Sequence, residues 1–254
     1  MCQHVILRED TTEESNLLSF LRQFYRFCIQ AKYEGWRYYK AVLDILENVT
    51  KSNSLLDIGC AEGTKQYAKM LSIPLEKVCG IEMKPKHIKL AQKHFKIFNV
   101  NLEHDTFPFQ DQEIEIIICN QVLEHLKNIF LPLSEMDRVL KIGGHLIIGI
   151  PNLAALHNRI FILFGKQPSC NVIMGPHIRC FTHKGFLEFI RQNTNFELQS
   201  ISAATLYPFP YPVVQYCAKY FPGLSSYTFY LLKKIKHNPD NCDWSMRTDF
   251  DTCF

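Results

Sequence analysis

No run of about 18 apolar residues occurs in the chain, which excludes a membrane-spanning helix. Charge of one sign is not in excess either. The 28 basic and 25 acidic residues leave a net charge of +3, so there is no electrostatic case for a nucleic-acid partner. Lys86, Lys89, Lys93 and Lys96 fall on one side of an expected helix and read as a solvated face rather than an RNA-binding patch. Cys-x-x-Cys pairs and His/Cys clusters are missing, so the ten cysteines read as reduced thiols and not as a disulfide framework or a zinc site. A signal peptide is not expected, because Glu9, Asp10, Glu13 and Glu14 follow a weak Met1–Leu7 run. The expected location is cytoplasmic. Internal repeats and low-complexity tracts are absent.

What is present is enough apolar material, 47% of 254 residues, for a substantial core. Residues 13–50 read as a cap of two helices, with Leu17, Leu21, Phe24 and Cys28, then Trp36, Tyr39, Leu43 and Leu46, at helical spacing. From Ser54 the pattern alternates. Strands are expected at 54–59, 77–82, 100–105, 114–120 and 144–150, with helices at 64–72, 85–98 and 129–140 between them. Such alternation predicts an α/β fold, a Rossmann-like sheet with helices on both faces. A helix at 183–193 and strands at 196–204 and 226–234 would complete seven strands, mostly parallel with the last antiparallel. The expected domain covers 51–236, with inserts at 152–181 and 206–223 over one edge and a polar, flexible tail at 237–254.

The most informative segment is Asp57-Ile58-Gly59-Cys60-Ala61-Glu62-Gly63, an apolar strand tipped by an acid and followed by a glycine turn into a helix. Glycine allows close backbone approach to a ligand. The free N–H groups of the following helix suit a carboxylate or phosphate. The dinucleotide fingerprint Gly-x-Gly-x-x-Gly is absent, since Ala61 holds the middle position, which points away from a pyrophosphate and from a nicotinamide-dependent oxidoreductase. The second strand also ends in an acid, Glu82, which can accept two hydrogen bonds from a ribose and would repel a 2′-phosphate. Asp105, read as the end of the third strand, could accept from an adenine amino group.

The next motifs are Pro108-Phe109-Gln110-Asp111, the apolar run 114–119, and Val122-Leu123-Glu124-His125-Leu126. After them come Glu135-Met136-Asp137-Arg138-Val139-Leu140-Lys141-Ile142-Gly143-Gly144, Pro151-Asn152 and His177-Ile178-Arg179. In this order they resemble the class I S-adenosylmethionine-dependent methyltransferases, in the methyltransferase type 11-like group, over about residues 50–235. The resemblance implies S-adenosylmethionine as cofactor. Asp57, Gly59, Ala61 and Gly63 would surround its methionyl part, and Glu82 its ribose. Met83, Asp105 and Thr106 would lie at its adenine. Asn120 and Gln121 would approach it at the end of strand four and face the methyl acceptor. Ala61 and Ile142 depart from the usual glycine and proline. Some relatives bind a divalent ion through Glu-x-x-Glu-His; here the first position is Gln121, an amide, so no metal is expected.

Methyl transfer from a sulfonium needs alignment and exclusion of water, and a base only when the acceptor must lose a proton. His125 and His177 are the candidate bases, each weighed against a structural role. The aromatic 207–221 segment and the helices at 13–50 could form an apolar acceptor pocket, or could be core packing. The expected partner is a small-molecule or lipid-like acceptor, not nucleic acid. A catalytically silent binding or scaffold protein is the alternative, and the absence of an Asn-Pro-Pro-Tyr signature after strand four counts against methylation of base or glutamine amino groups.

Overall fold

The computed structural model describes residues 35–49, 52–60, 63–207 and 220–238, together with Ser19, Gln23, Phe209 and Tyr216. The chain divides into two compact units, Met1–Tyr33 and Glu34–Phe254, and every element below belongs to the second. The expected helix built on Leu17, Leu21, Phe24 and Cys28 lies outside the described residues, as does the tail from 239.

Seven apolar runs make one sheet: β1 Leu55–Ile58, β2 Val78–Ile81, β3 Lys96–Phe98, β4 Ile114–Asn120, β5 Leu140–Pro151, β6 Phe196–Ala204 and β7 Tyr227–Lys234. Their order is β3-β2-β1-β4-β5-β7-β6. The first five pair in parallel, and β7 runs antiparallel to both β5 and β6. The expected architecture is therefore the observed one. Ile116, Ile117 and Ile118 are fully buried in succession, because helices cover both faces of a parallel sheet and neither can be polar.

One face carries α4 (Phe130–Val139) and α6 (His183–Gln192), whose Leu133, Met136, Phe186 and Ile190 pack on Ile117, Ile148 and Tyr230. Asn128 Oδ1 caps the start of α4, accepting from the amides of Phe130 and Leu131, and Thr182 Oγ1 accepts from Gly185 N at the start of α6. The other face carries α1 (Gly35–Leu46) and α2 (Thr64–Met70). In α1 the buried stripe is Ala41, Val42, Ile45 and Leu46, with Tyr39 and Leu43 on its flank. The expected stripe is thus shifted by part of a turn, and it joins α1 to the same core as Leu55, Ala204 and Phe229.

The third strand departs from expectation. The helix predicted to 98 is α3, Pro85–Ala91, and β3 occupies Lys96–Phe98 instead of 100–105. Asn101 and Asp105 explain the shift. Asp105 Oδ2 accepts from Asn101 N at 2.8 Å, Asn101 Oδ1 accepts from Glu103 N at 3.0 Å, and the amides of His104 and Asp105 bond to Asn101 O. Short polar side chains that satisfy the backbone locally compete with a strand ladder. The insert at 152–181 also holds a helix, α5 (Leu156–Leu163). Among the described residues no helix is long and apolar enough to cross a membrane.

Candidate functional site at the carboxyl edge of the sheet

Parallel strands β1, β2 and β4 end together, and the loops that leave them form one crevice. Register places Ile58 level with Ile81 and Cys119, so Gly59, Glu82 and Asn120 follow at the same height. Gly59 has φ +71, and a Cβ there would stand 2.5 Å from Val122 Cγ2. Both the left-handed turn and the approach of the β4 loop therefore require glycine. Ala61 lies outside the described residues. Gly63 precedes α2, a helix of seven residues.

Asp57 is buried and accepts a short hydrogen bond from Thr64 Oγ1. Burial pushes its carboxyl up to about 7; the Thr64 bond opposes this and the Glu82 charge adds to it. Two tyrosines stand nearby, Tyr39 and Tyr67, stacked with ring centroids 5.0 Å apart. Burial and then the Asp57 charge raise both phenols, Tyr39 to about 12. The Tyr39 hydroxyl is buried without a hydrogen-bond partner among the described residues.

Glu82 is buried too, but its carboxylate is in use. Oε1 accepts from Met83 N and Lys84 N, both at 2.8 Å, and Oε2 lies 3.1 Å from His87 Nδ1. A ribose hydroxyl would share Oε2 with that imidazole. Met83 is exposed at the rim. Asp105 and Thr106 are exposed, and no contact among the described residues ties them to Asp57, Glu82 or Asn120. Asp105 does not end a strand; its carboxylate closes its own turn. The neighbouring Glu103 instead reaches across to the β4 loop, where its Oε1 accepts from Lys127 N and Asn128 N.

The end of β4 is the most perturbed part of the crevice. Gln121 adopts φ +57, unusual for a residue with a long side chain, while its N–H donates to Gly149 O at 2.9 Å. Such strain persists where surrounding structure imposes it, commonly at functional sites. Asn120 Oδ1 and Gln121 Nε2 are buried and make no hydrogen bond among the described residues, while the Asn120 side chain hydrogen-bonds the Tyr67 hydroxyl. Asn120 can sit inward only because Gly149 faces it, since a Cβ there would collide with Oδ1. A glycine inside β5 is the sequence signal for that close approach, and it was not read. Nor were Tyr39, Tyr67 and Thr64, which are ordinary helix residues until the fold gathers them around Asp57.

His125 and His177 come together, with ring centroids 4.8 Å apart. Each has Nδ1 against a backbone oxygen, His125 at Pro176 O (3.1 Å) and His177 at Cys170 O. The loop carrying His177 is tied down because Ile178 N and Arg179 N donate to Glu124 O, and the Arg179 guanidinium donates to Leu126 O and Lys127 O. Glu124 is fully buried, both carboxylate oxygens lack a hydrogen bond among the described residues, and burial pushes its pKa up to about 8. One ligand atom from each of Glu124, His125 and His177 lies within 4.8 Å of the others, a spacing that could hold a metal ion. The insert thus supplies a third group where sequence had offered only Glu124 and His125 beside the amide of Gln121.

The site fits an adenosyl sulfonium amino acid. Two buried carboxylates suit a cationic ligand, Gly59 opens the backbone, and the shielded Tyr39 hydroxyl, Asn120 Oδ1 and Gln121 Nε2 need partners. Residues 56–148 match the family model of a methyltransferase domain. Over 112 residues the chain is 32% identical to an uncharacterized protein of Methanocaldococcus jannaschii, covering 44% of this chain and 51% of that one. It is 26% identical to the mitochondrial ubiquinone biosynthesis O-methyltransferase of Rattus norvegicus, over 61% of this chain and 47% of that one. The chain spans about half the length of these curated relatives. The fold resembles that of a solved S-adenosylmethionine-dependent methyltransferase from Thermotoga maritima, with a TM-score of 0.55, 16% identity, and coverage of 85% of this chain and 99% of that one.

Proposed function

We propose that this chain is a class I S-adenosylmethionine-dependent methyltransferase, a reading supported by the match of residues 56–148 to a methyltransferase domain, and that it transfers the methyl group to a small-molecule or lipid-like acceptor. The single observation that carries this reading is the end of β4. Asn120 and Gln121 are half-buried, and their Oδ1 and Nε2 atoms are shielded from solvent without a hydrogen-bond partner among the described residues, beside Asp57, Gly59 and Glu82. Orphaned groups of this kind are costly unless a ligand completes them.

Bound S-adenosylmethionine supplies an activated methyl on a sulfonium, so the chain has to bind, align and exclude water. Asp57, Gly59 and Gly63 would hold the methionyl part, Glu82 the ribose, and Met83 the adenine edge. Asp105 and Thr106 remain assigned to the adenine only by resemblance. Asn120 and Gln121 would fix the donor end against the acceptor. His125 and His177 stand at the acceptor side, where one could take a proton from a hydroxyl through Nε2, since Nδ1 of each already faces a carbonyl. The relative named for ubiquinone biosynthesis is in keeping with an apolar acceptor bearing a hydroxyl.

The Glu124–His125–His177 cluster favours a second reading of the same step. A divalent ion held there would orient the acceptor oxygen and lower its pKa, replacing a protein base. Turnover that survives both His→Gln changes and dialysis against chelator would remove both readings.

Calorimetric titration with S-adenosylhomocysteine tests the site, and measurable affinity is the expected result. Radiolabelled cofactor with a metabolite extract tests the acceptor. Label is expected in the organic phase; label confined to protein or RNA contradicts the proposed acceptor. Binding without transfer to any acceptor would favour the scaffold alternative.

A further inference from the structure

We propose that the insert after β5, residues 152–181, with Phe221 beside it, forms a docking surface for an anionic lipid bilayer, at the mouth of the crevice. The first observation is placement. Pro151 and Ala204, the last residues of β5 and β6, both pair with Tyr227. The segments that leave those strands therefore share the edge where Asn120 and Glu82 stand. They also touch each other: Asn152 Nδ2 donates to Gly223 O and Ser225 O, and His157 packs edge-on against Tyr207 at 5.2 Å.

The second observation is misplaced apolar surface. Leu163 is 80% exposed, Ile173 83% and Met174 85%, with Ile162, Phe164 and Phe221 exposed beside them in sequence or in the neighbouring insert. Helix α5 buries His157, Asn158 and Phe161 on one side and shows Ile162 and Leu163 on the other. A surface helix that turns large apolar side chains outward has a second apolar environment to meet.

The third observation selects the partner. No acid occurs between Asp137 and Glu188, nor between Glu197 and Asp240, although the chain has 25 acids. Both inserts fall inside these acid-free stretches. Arg159 and Lys166 are exposed in the first insert, and Glu124 under the 170–179 loop is buried. Exposed apolar side chains and aromatic rings that share an acid-free segment with exposed cations match the interface of a bilayer carrying anionic headgroups. A second copy of the chain would instead bring two cationic rims together. The docking does not rest on methyl transfer; if both hold, a lipid-embedded acceptor reaches the site without leaving the membrane.

The full chain is sedimented with vesicles of phosphatidylcholine alone and with phosphatidylglycerol added. Binding is expected to the anionic vesicles, weakening with salt. Leu163→Glu with Met174→Glu should lower the partition coefficient about tenfold or more, with unchanged melting temperature and S-adenosylhomocysteine affinity. Wild type left in the supernatant overturns the proposal, and so does a double variant that binds as well as wild type. A dimer seen by light scattering and dissolved by the same substitutions, without vesicle binding, makes the surface an interface between copies and also overturns it. Vesicle binding without cofactor affinity keeps the docking and removes the methyl-transfer reading.

Discussion

Two polar regions of this molecule use the same kinds of side chain in opposite ways. At Arg138 every group is matched. The guanidinium donates to Glu135 through Nε and Nη2, to Phe107 O and Phe109 O, and to Asp111, while Glu135 Oε2 also accepts from Phe107 N at 2.6 Å. At the end of β4, half-buried Asn120 and Gln121 and fully buried Glu124 carry shielded hydrogen-bonding atoms that are unmatched among the described residues. The first arrangement fastens the loop after β3 to α4 and spends its polarity on the fold. The second leaves polarity in reserve, which lowers the stability of the chain alone and directs binding energy to a ligand. The motifs that look most alike in sequence therefore divide into a clamp and a site.

The largest test of this contrast is Arg138→Met. It strands the buried Glu135 carboxylate and two carbonyls, and should cost about 3 kcal/mol of stability, read as a lower midpoint in urea. The fraction that remains folded should bind S-adenosylhomocysteine as wild type does. A selective loss of affinity would mean that the clamp belongs to the site.

Gly149→Ala strikes the other region through packing. The added methyl would collide with Asn120 Oδ1 and stand 2.8 Å from Phe229 Cδ1. Overpacking of this kind costs about 2 kcal/mol, and here it should also weaken cofactor affinity because Asn120 must turn. Unchanged affinity in the calorimeter would show that the orientation of Asn120 is unimportant. Asn120→Ala gives the sharper version. It removes an unmatched buried oxygen, so stability should stay within about 1 kcal/mol of wild type while affinity falls about tenfold. Equal loss of both would erase the distinction between clamp and site.

The clamp and the sheet were more legible in sequence than the site. Strand runs such as 114–120 announce themselves because parallel strands are apolar throughout, and the acids at 57 and 82 mark strand ends. The third strand was misplaced because Asn101 and Asp105 close a turn that periodicity cannot see, and this carried Asp105 away from the strand end assigned to it. At the site, Asp57, Glu82 and Asn120 were visible as chemistry at strand tips. Tyr39, Tyr67 and Gly149 were not, because their meaning lies in contacts between elements far apart in the chain. His177 was visible as a candidate, yet its meeting with His125 depends on backbone bonds from the insert to Glu124 O.

The last expected effect is confined to a window of pH. Asp57 titrates near 7 in the fold, above its ordinary value of 3.8, because burial penalises the charged form. Between about pH 4 and pH 7 the folded chain holds a proton that the unfolded chain has released. The contribution of Asp57 to stability therefore declines as pH rises through that window and is constant above it. Asp57→Asn keeps an oxygen for Thr64 and removes the titration. Its melting temperature relative to wild type should climb from pH 4 to pH 7, by the equivalent of about 1.4 kcal/mol per pH unit, and then level off. The contrast with Arg138 sharpens when cofactor is present. A ligand ammonium beside Asp57 favours the charged carboxylate, so saturating S-adenosylhomocysteine should flatten the wild-type slope. In the Asn variant the ligand should leave the profile unchanged. A slope that persists in wild type at saturation would place the ligand's positive charge elsewhere in the crevice.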